Sequence, residues 1–181
     1  MVAQPTRPMR FAYADPPYIG QARKLYQCDE VDHAALIGRL MSEYDGWALS
    51  ASSPSLRELL PMCPPTVRVM AWVKPFCIFK PGVNPAYAWE PVLVCGGRKR
   101  TRQQPTVRDW VAANITLKRG LRGAKPEPFA FWLFEVLNLQ AGDLLDDLFP
   151  GTYAVSKAWT RWQLELYRLK TQEWDDARAA D

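Results

Sequence analysis

One histidine, His33, stands in 181 residues, and the four cysteines, Cys28, Cys63, Cys77 and Cys95, are scattered without a C-x-x-C pair. Zinc is held by several such ligands at short spacing, so no metal centre is expected. A serine or cysteine triad would have one candidate base, which speaks against that chemistry. The cysteines read as reduced thiols, three of them beside apolar segments where they act as small hydrophobes. His33 follows Asp32 at the start of a helical pattern and reads as a surface or helix-start residue. No apolar run approaches the ~20 residues that span a bilayer, and Met1 to Arg10 has no apolar stretch of a secretory signal. The expectation is a cytoplasmic protein with no membrane association. Fixed-period repeats and low-complexity tracts are also missing.

Apolar residues at 48% and charged residues at 23% match an ordinary globular composition, which excludes a disordered chain. The length suits a single domain, 1–181, with one core. Acidic residues are nearly absent from 96–125, where Arg98, Lys99, Arg100, Arg102, Arg108, Lys118, Arg119, Arg122 and Lys125 face Asp109 alone, for a local charge of +8. The remainder carries −4. Such a tract suits a polyanion through phosphate neutralisation and counterion release, and equally a solvated loop kept soluble by its charge.

Arg10 to Asp15 reads as a short buried strand that Pro16-Pro17 ends abruptly, because proline donates nothing to a ladder. Apolar positions from Val31 to Tyr44 recur at helical spacing. Trp47 to Ala51 reads as a strand, Pro54 to Leu60 as a short helix and Val67 to Val73 as a third strand. Trp89 to Cys95 follows too closely for a helical crossover, which predicts an antiparallel neighbour. The basic segment reads as a long surface connection. Pro126 to Leu139 is apolar at helical spacing, Leu144 to Leu148 is a strand, and Val155, Trp159, Trp162, Leu166 and Leu169 form one seam of a terminal helix. The alternation predicts an α/β domain with an open, mostly parallel sheet and one antiparallel strand, and ligands beyond the carboxyl ends of the strands.

At the end of the first strand, Asp15-Pro16-Pro17-Tyr18 has a chemical logic. The lone pair of an exocyclic amine is delocalised into its base, and two acceptors that pull its N–H groups out of plane make it a nucleophile. The Asp15 carboxylate and the Pro16 carbonyl offer two acceptors, and the Tyr18 ring a face for a base taken out of its stack. A strand ending in a proline turn with a core tyrosine gives the same four residues without any chemistry.

Further pieces stand in order along the chain: Trp72-Val73-Lys74-Pro75, Tyr87 to Val94 with Glu90 inside it, Lys125-Pro126, Gly142-Asp143, and Asp147-Leu148-Phe149-Pro150-Gly151. Together with Asp15 to Tyr18 they resemble the permuted amino-methyltransferases of nucleic acids, of the N6-adenine and N4-cytosine type. The resemblance covers about Phe11 to Trp159. It implies a Rossmann-like methyltransferase fold, permuted and truncated, with S-adenosylmethionine as methyl donor and a nucleic-acid substrate, adenine N6 in DNA ahead of RNA. It makes Asp15, Pro16, Pro17 and Tyr18 the catalytic loop, and puts Lys125, Asp147, Phe149, Gly151 and Tyr153 around the donor. Glu90 reads as structural, fixing the sheet end or neutralising Lys74. Arg98, Lys99, Arg100, Arg102, Arg108, Lys118, Arg119 and Arg122 become the expected nucleic-acid contacts.

Tyr153 stands where the related loop has a second glycine, a position that asks for positive φ. The strand that would follow the donor loop is not evident. The alternative reading is therefore a partner subunit with a decayed donor site that still binds nucleic acid. A protein partner or a homodimer fits either reading.

Overall fold

Strand β1 (Arg10–Ala14) is buried from Phe11 onward and ends where Pro16 and Pro17 withdraw the backbone donors. It runs parallel to β2 (Gly46–Ser50), with Phe11 opposite Gly46 and Ala14 opposite Leu49. The crossover between them is α1 (His33–Glu43), whose first turn is capped by Asp32 accepting from the Ala35 amide at 2.9 Å. His33 opens this helix as expected, but it is buried rather than on the surface, its Nδ1 lying 2.8 Å from the Val31 carbonyl. This computed structural model describes residues 7–77, 79, 81–116 and 124–179.

After β2 the chain makes the short helix α2 (Leu56–Leu59) between two tight helical turns and enters β3 (Arg68–Val73). Strand β4 (Trp89–Gly96) then inserts antiparallel between β3 and β2, as the short connection predicted. Its far end meets β2 closely: a Cβ on Gly46 would lie 2.4 Å from the Gly97 nitrogen, so only glycine lets the two backbones pair there.

The basic segment is not solely a surface connection. Trp110–Ala112 forms strand β5, parallel to β3 on its free edge, with Ala71 opposite Trp110. Two indole N–H groups hold it in place: Trp72 donates to the Ala113 carbonyl at 2.8 Å and Trp132 to the Arg108 carbonyl at 2.9 Å. Three residues are too few for the alternation that marks a strand, so its pairing comes from tertiary contacts rather than local pattern.

Helix α3 (Glu127–Leu137) returns the chain to β6 (Leu144–Asp147), which pairs parallel with β1. The sheet order is β5-β3-β4-β2-β1-β6 with β4 alone reversed, a Rossmann-like open α/β sheet. Among the described residues it ends at β6, and the chain continues through the loop Leu148 to Tyr153 into α4 (Ala154–Ala179).

Helices α3 and α4 cover one face, where Phe129, Phe134, Val155 and Trp159 pack against Phe11, Tyr13 and Trp72. The Phe134 and Trp159 rings meet edge to face at 5.3 Å. On the other face Leu36, Ile37 and Leu40 of α1 pack against Ala12, Ala14, Trp47 and Leu49. The expected α4 seam is buried at Val155 and Trp159, whereas Leu169 is exposed. Twenty-six helical residues reach about 39 Å, and the four residues of β6 only about 13 Å, so the helix runs past the sheet it covers. No helix among the described residues is long and apolar enough to cross a membrane.

Candidate active site

Strand order reverses at β1, whose neighbours β2 and β6 follow it through crossovers on opposite sides. In open α/β sheets the crevice at such a switch point is where ligands bind. Asp15 leaves β1 at that edge, and Asp147 ends β6 beside it, opposite Tyr13 in the register. Two carboxylates that are far apart in sequence thus meet at the carboxyl edge because of the parallel pairing alone.

Around Asp15 the structure builds a chain of alternating charges. Lys125 Nζ lies 3.0 Å from Asp15 Oδ1 and 3.1 Å from Glu90 Oε2, and Lys74 bonds the other oxygen of Glu90. The Lys125 ammonium is buried and faces the Trp72 and Phe129 rings at 5.3 and 5.9 Å. Desolvation raises the Asp15 pKa above the usual carboxylate range, with Lys125 pulling against it. Burial also opposes the charge on Lys125, but Asp15, helped by Tyr13, Tyr18 and Glu90, outweighs it and holds the ammonium protonated. Glu90 is pushed up by burial and brought below its ordinary value by its two lysines. The Tyr18 phenol is kept neutral by burial, with the charges of Asp15 and Glu90 adding to that effect.

Lys125 was expected beside a donor, and the structure places it against Asp15 and Glu90. The Lys74–Glu90 pair stands as expected. The sequence offered no sign that Glu90 bridges two lysines, because a K-P dipeptide says nothing about which strand end it reaches.

The loop after β6 has two unusual features. Asp147 Oδ2 accepts from the Ser156 hydroxyl at 2.8 Å, while its Oδ1 is buried without a hydrogen-bond partner among the described residues. Burial raises the Asp147 pKa, and Ser156 offsets part of that. Gly151 and Tyr153 both have positive φ, 45° and 57°. Tyr153 therefore adopts the left-handed conformation that a glycine would take, at a cost of about 1 kcal/mol. Its amide closes a turn on the Pro150 carbonyl, its carbonyl accepts from the Lys157 amide, and the residue is 57% exposed. Phe149 packs against the core on the α1 face.

The expected nucleic-acid residues separate into three groups. Because β4 runs backwards, Gly96 emerges level with Gly46, at the amino-terminal end of the parallel strands and opposite to Asp15. Arg98 turns inward there: its Nη2 lies 2.6 Å from Asp143 Oδ1, and both side chains are buried. Arg100 is likewise engaged, bonding the Pro105 carbonyl and the Glu135 carboxylate. Both guanidinium groups are structural ties rather than the surface contacts expected of them. Lys99, Arg102 and Arg108 are exposed, and Lys118, Arg119 and Arg122 lie outside the described residues.

Asp143 also accepts from the amides of Met9 and Gln140, each at 2.8 Å, so removing Arg98 leaves the carboxylate two of its partners. Arg98→Met is accordingly expected to lower unfolding stability by about 1–3 kcal/mol, less than a fully orphaned buried charge would. Urea denaturation at neutral pH measures it. A change within about 0.5 kcal/mol would show the pair to be without structural weight.

The class defined by this sheet and switch point is the Rossmann-like α/β fold. Forty-one solved chains match it. One of them, from the M1.HpyAVI–SAM complex, shares the fold at a TM-score of 0.59, with 11% identity over 86% of this chain and 79% of that one. No family model and no curated protein matches the sequence.

Proposed function

We propose that this protein transfers a methyl group from S-adenosylmethionine to an exocyclic amino group of a nucleic-acid base, with adenine N6 in DNA as the favoured target. The observation that carries the reading is the Asp15 carboxylate, set at the switch point beside Asp147, with Lys125 3.0 Å from its Oδ1 and, among the described residues, no hydrogen-bond partner on its Oδ2, which suits that oxygen to a substrate N–H. The structural kinship with a protein solved in complex with SAM agrees with it.

In this reading Asp15 Oδ2 accepts one amine N–H and the Pro16 carbonyl the other, which localises the nitrogen lone pair. Tyr18 supports the base. Lys125 keeps Asp15 ionised and oriented, and the raised basicity of the buried Asp15 suits it to receive the proton shed when the new C–N bond forms. S-adenosylmethionine, when bound, supplies an electrophilic methyl group on a sulfonium sulfur. The residues after β6 fit this donor. Asp147 Oδ1, buried and without a partner among the described residues, is an acceptor suited to an ammonium group. Gly151 gives close backbone approach, and the exposed Tyr153 ring offers an adenine a stacking face.

One observation favours a second reading, a partner subunit that has lost its donor site: Tyr153 takes the left-handed conformation of a glycine and puts a side chain into the loop that would cradle the donor. Calorimetric titration with S-adenosylmethionine separates the two. Saturable binding is expected, and silence at high protein concentration supports the partner subunit. Tyr153→Gly then reports how the loop works. With Tyr153 as a stacking face, the change weakens donor binding by about 1–3 kcal/mol. If the ring is an obstruction, relief of the positive φ and the added room tighten binding instead.

A further inference from the structure

Glu90 stands opposite Trp72 in the β3–β4 register, and Trp72 packs on Phe129, so both side chains lie on the α3 face of the sheet. There Asp15, Lys125, Glu90 and Lys74 alternate in sign, brought together from the ends of β1 and β3, from β4 and from the approach to α3. None of the four side chains is more than 21% exposed. A lysine ammonium has three donors, and that of Lys125 lies 3.0 Å from Asp15 Oδ1 and 3.1 Å from Glu90 Oε2. Neutralising Lys74 asks for one oxygen of Glu90, and the structure turns the other to Lys125. Two carboxylates thus compete for one buried cation.

We propose that Glu90 is a positioning residue for Asp15: by holding one N–H of Lys125 it keeps that ammonium at Oδ1 and leaves Oδ2 open to the substrate amine. The proposal rests on the amino-group chemistry given above and adds a residue to it. Without the Glu90 carboxylate, Lys125 has Asp15 as its only carboxylate partner among the described residues. It is then free to close on both oxygens, which takes the acceptor from the substrate and makes Asp15 a weaker base. The groups facing Asp15 all bear on this balance. Lys125 favours the anion, Glu90 and Asp147 oppose it from β4 and β6, and the Tyr13 and Tyr18 phenols, kept neutral by burial, sit beside it. Lys74 acts through Glu90, whose other oxygen it bonds. Removing Glu90 or Lys74 should therefore move Asp15 in opposite directions, which a loss of packing would not do.

The test is a carboxyl-carbon NMR titration of Asp15 in the full chain, without donor or substrate. In Glu90→Gln the Asp15 midpoint is expected about 1 pH unit below wild type, because a facing anion is gone and Lys125 is undivided. In Lys74→Gln it is expected above wild type, because Glu90 then draws Lys125 away from Asp15. Methyl transfer to an adenine-containing oligonucleotide should follow the titration. In Glu90→Gln, kcat is expected to fall on the order of tenfold while KM for the oligonucleotide stays within about twofold, and the acidic limb moves to lower pH. An Asp15 midpoint in Glu90→Gln at or above the wild-type value overturns the proposal, as does a shift of the same sign in both variants. Unchanged kcat in Glu90→Gln overturns it too. If Glu90→Gln does not fold, the sign of the shift in Lys74→Gln decides. A wild type that transfers no methyl group sinks the proposed function, while the two midpoints still decide whether Glu90 governs Asp15.

Discussion

Asp15→Ala is expected to lower methyl transfer by roughly 10²–10⁴-fold, while binding of S-adenosylmethionine and of oligonucleotide stays within a few-fold of wild type. The asymmetry follows from when the carboxylate acts. A planar amine in the ground state gains little from an acceptor, whereas a nitrogen that is becoming tetrahedral gains most, so the loss falls on the transition state. The structure adds a reason why the variant should fold. Burial already makes the Asp15 carboxylate an unfavourable anion, and Lys125 keeps Glu90 as a partner after the change. Single-turnover transfer to an adenine-containing oligonucleotide is the measurement. Activity within a few-fold of wild type would remove Asp15 from the chemistry, and a parallel collapse of donor binding would make it a donor ligand instead.

Much of the framework was legible because periodicity and punctuation agreed. The prolines after Asp15 fixed where β1 stops, the fifteen residues between β3 and β4 held no helical pattern, and the Trp47 to Ser50 run sat between helical segments. The positive φ at Tyr153 was readable only through the resemblance, since the related loop has a glycine there and its geometry falls on whatever replaces it. What stayed hidden depends on contacts distant in sequence. Strand β5 is three residues long and exists because β3 has a free edge. Arg98 and Arg100 read as surface charge, since nothing near them in sequence announces Asp143 or Glu135. The position of Lys125 was hidden for the same reason. It reaches Asp15 across 110 positions of sequence, and only the pairing of β1, β2 and β4 brings Glu90 between Lys74 and Lys125.

That cluster makes Lys125→Met the more informative substitution. The longest apolar chain of similar reach fills the space beside Trp72 and Phe129 but leaves Asp15 without its cation and Glu90 with Lys74 alone. Breaking a buried pair in this way costs about 3–5 kcal/mol, somewhat less here because Asp15 is partly open to solvent. The pH dependence has a definite sign. Asp15 already has a folded pKa above its unfolded value, and loss of the ammonium raises it further while lifting Glu90 from its depressed value. A group with a raised folded pKa stabilises below its unfolded pKa and loses that contribution as pH rises through the folded one. The deficit of Lys125→Met against wild type should therefore be largest at neutral pH and shrink as pH falls through the mildly acidic range. On the proposed chemistry, in which Asp15 is ionised to accept the amine N–H, the same shift should move the acidic limb of methyl transfer to higher pH. Melting temperatures of the two proteins across pH measure the first effect without any substrate. A deficit that is constant with pH would mean that Lys125 acts by packing on Trp72 and Phe129 rather than by holding charge on Asp15.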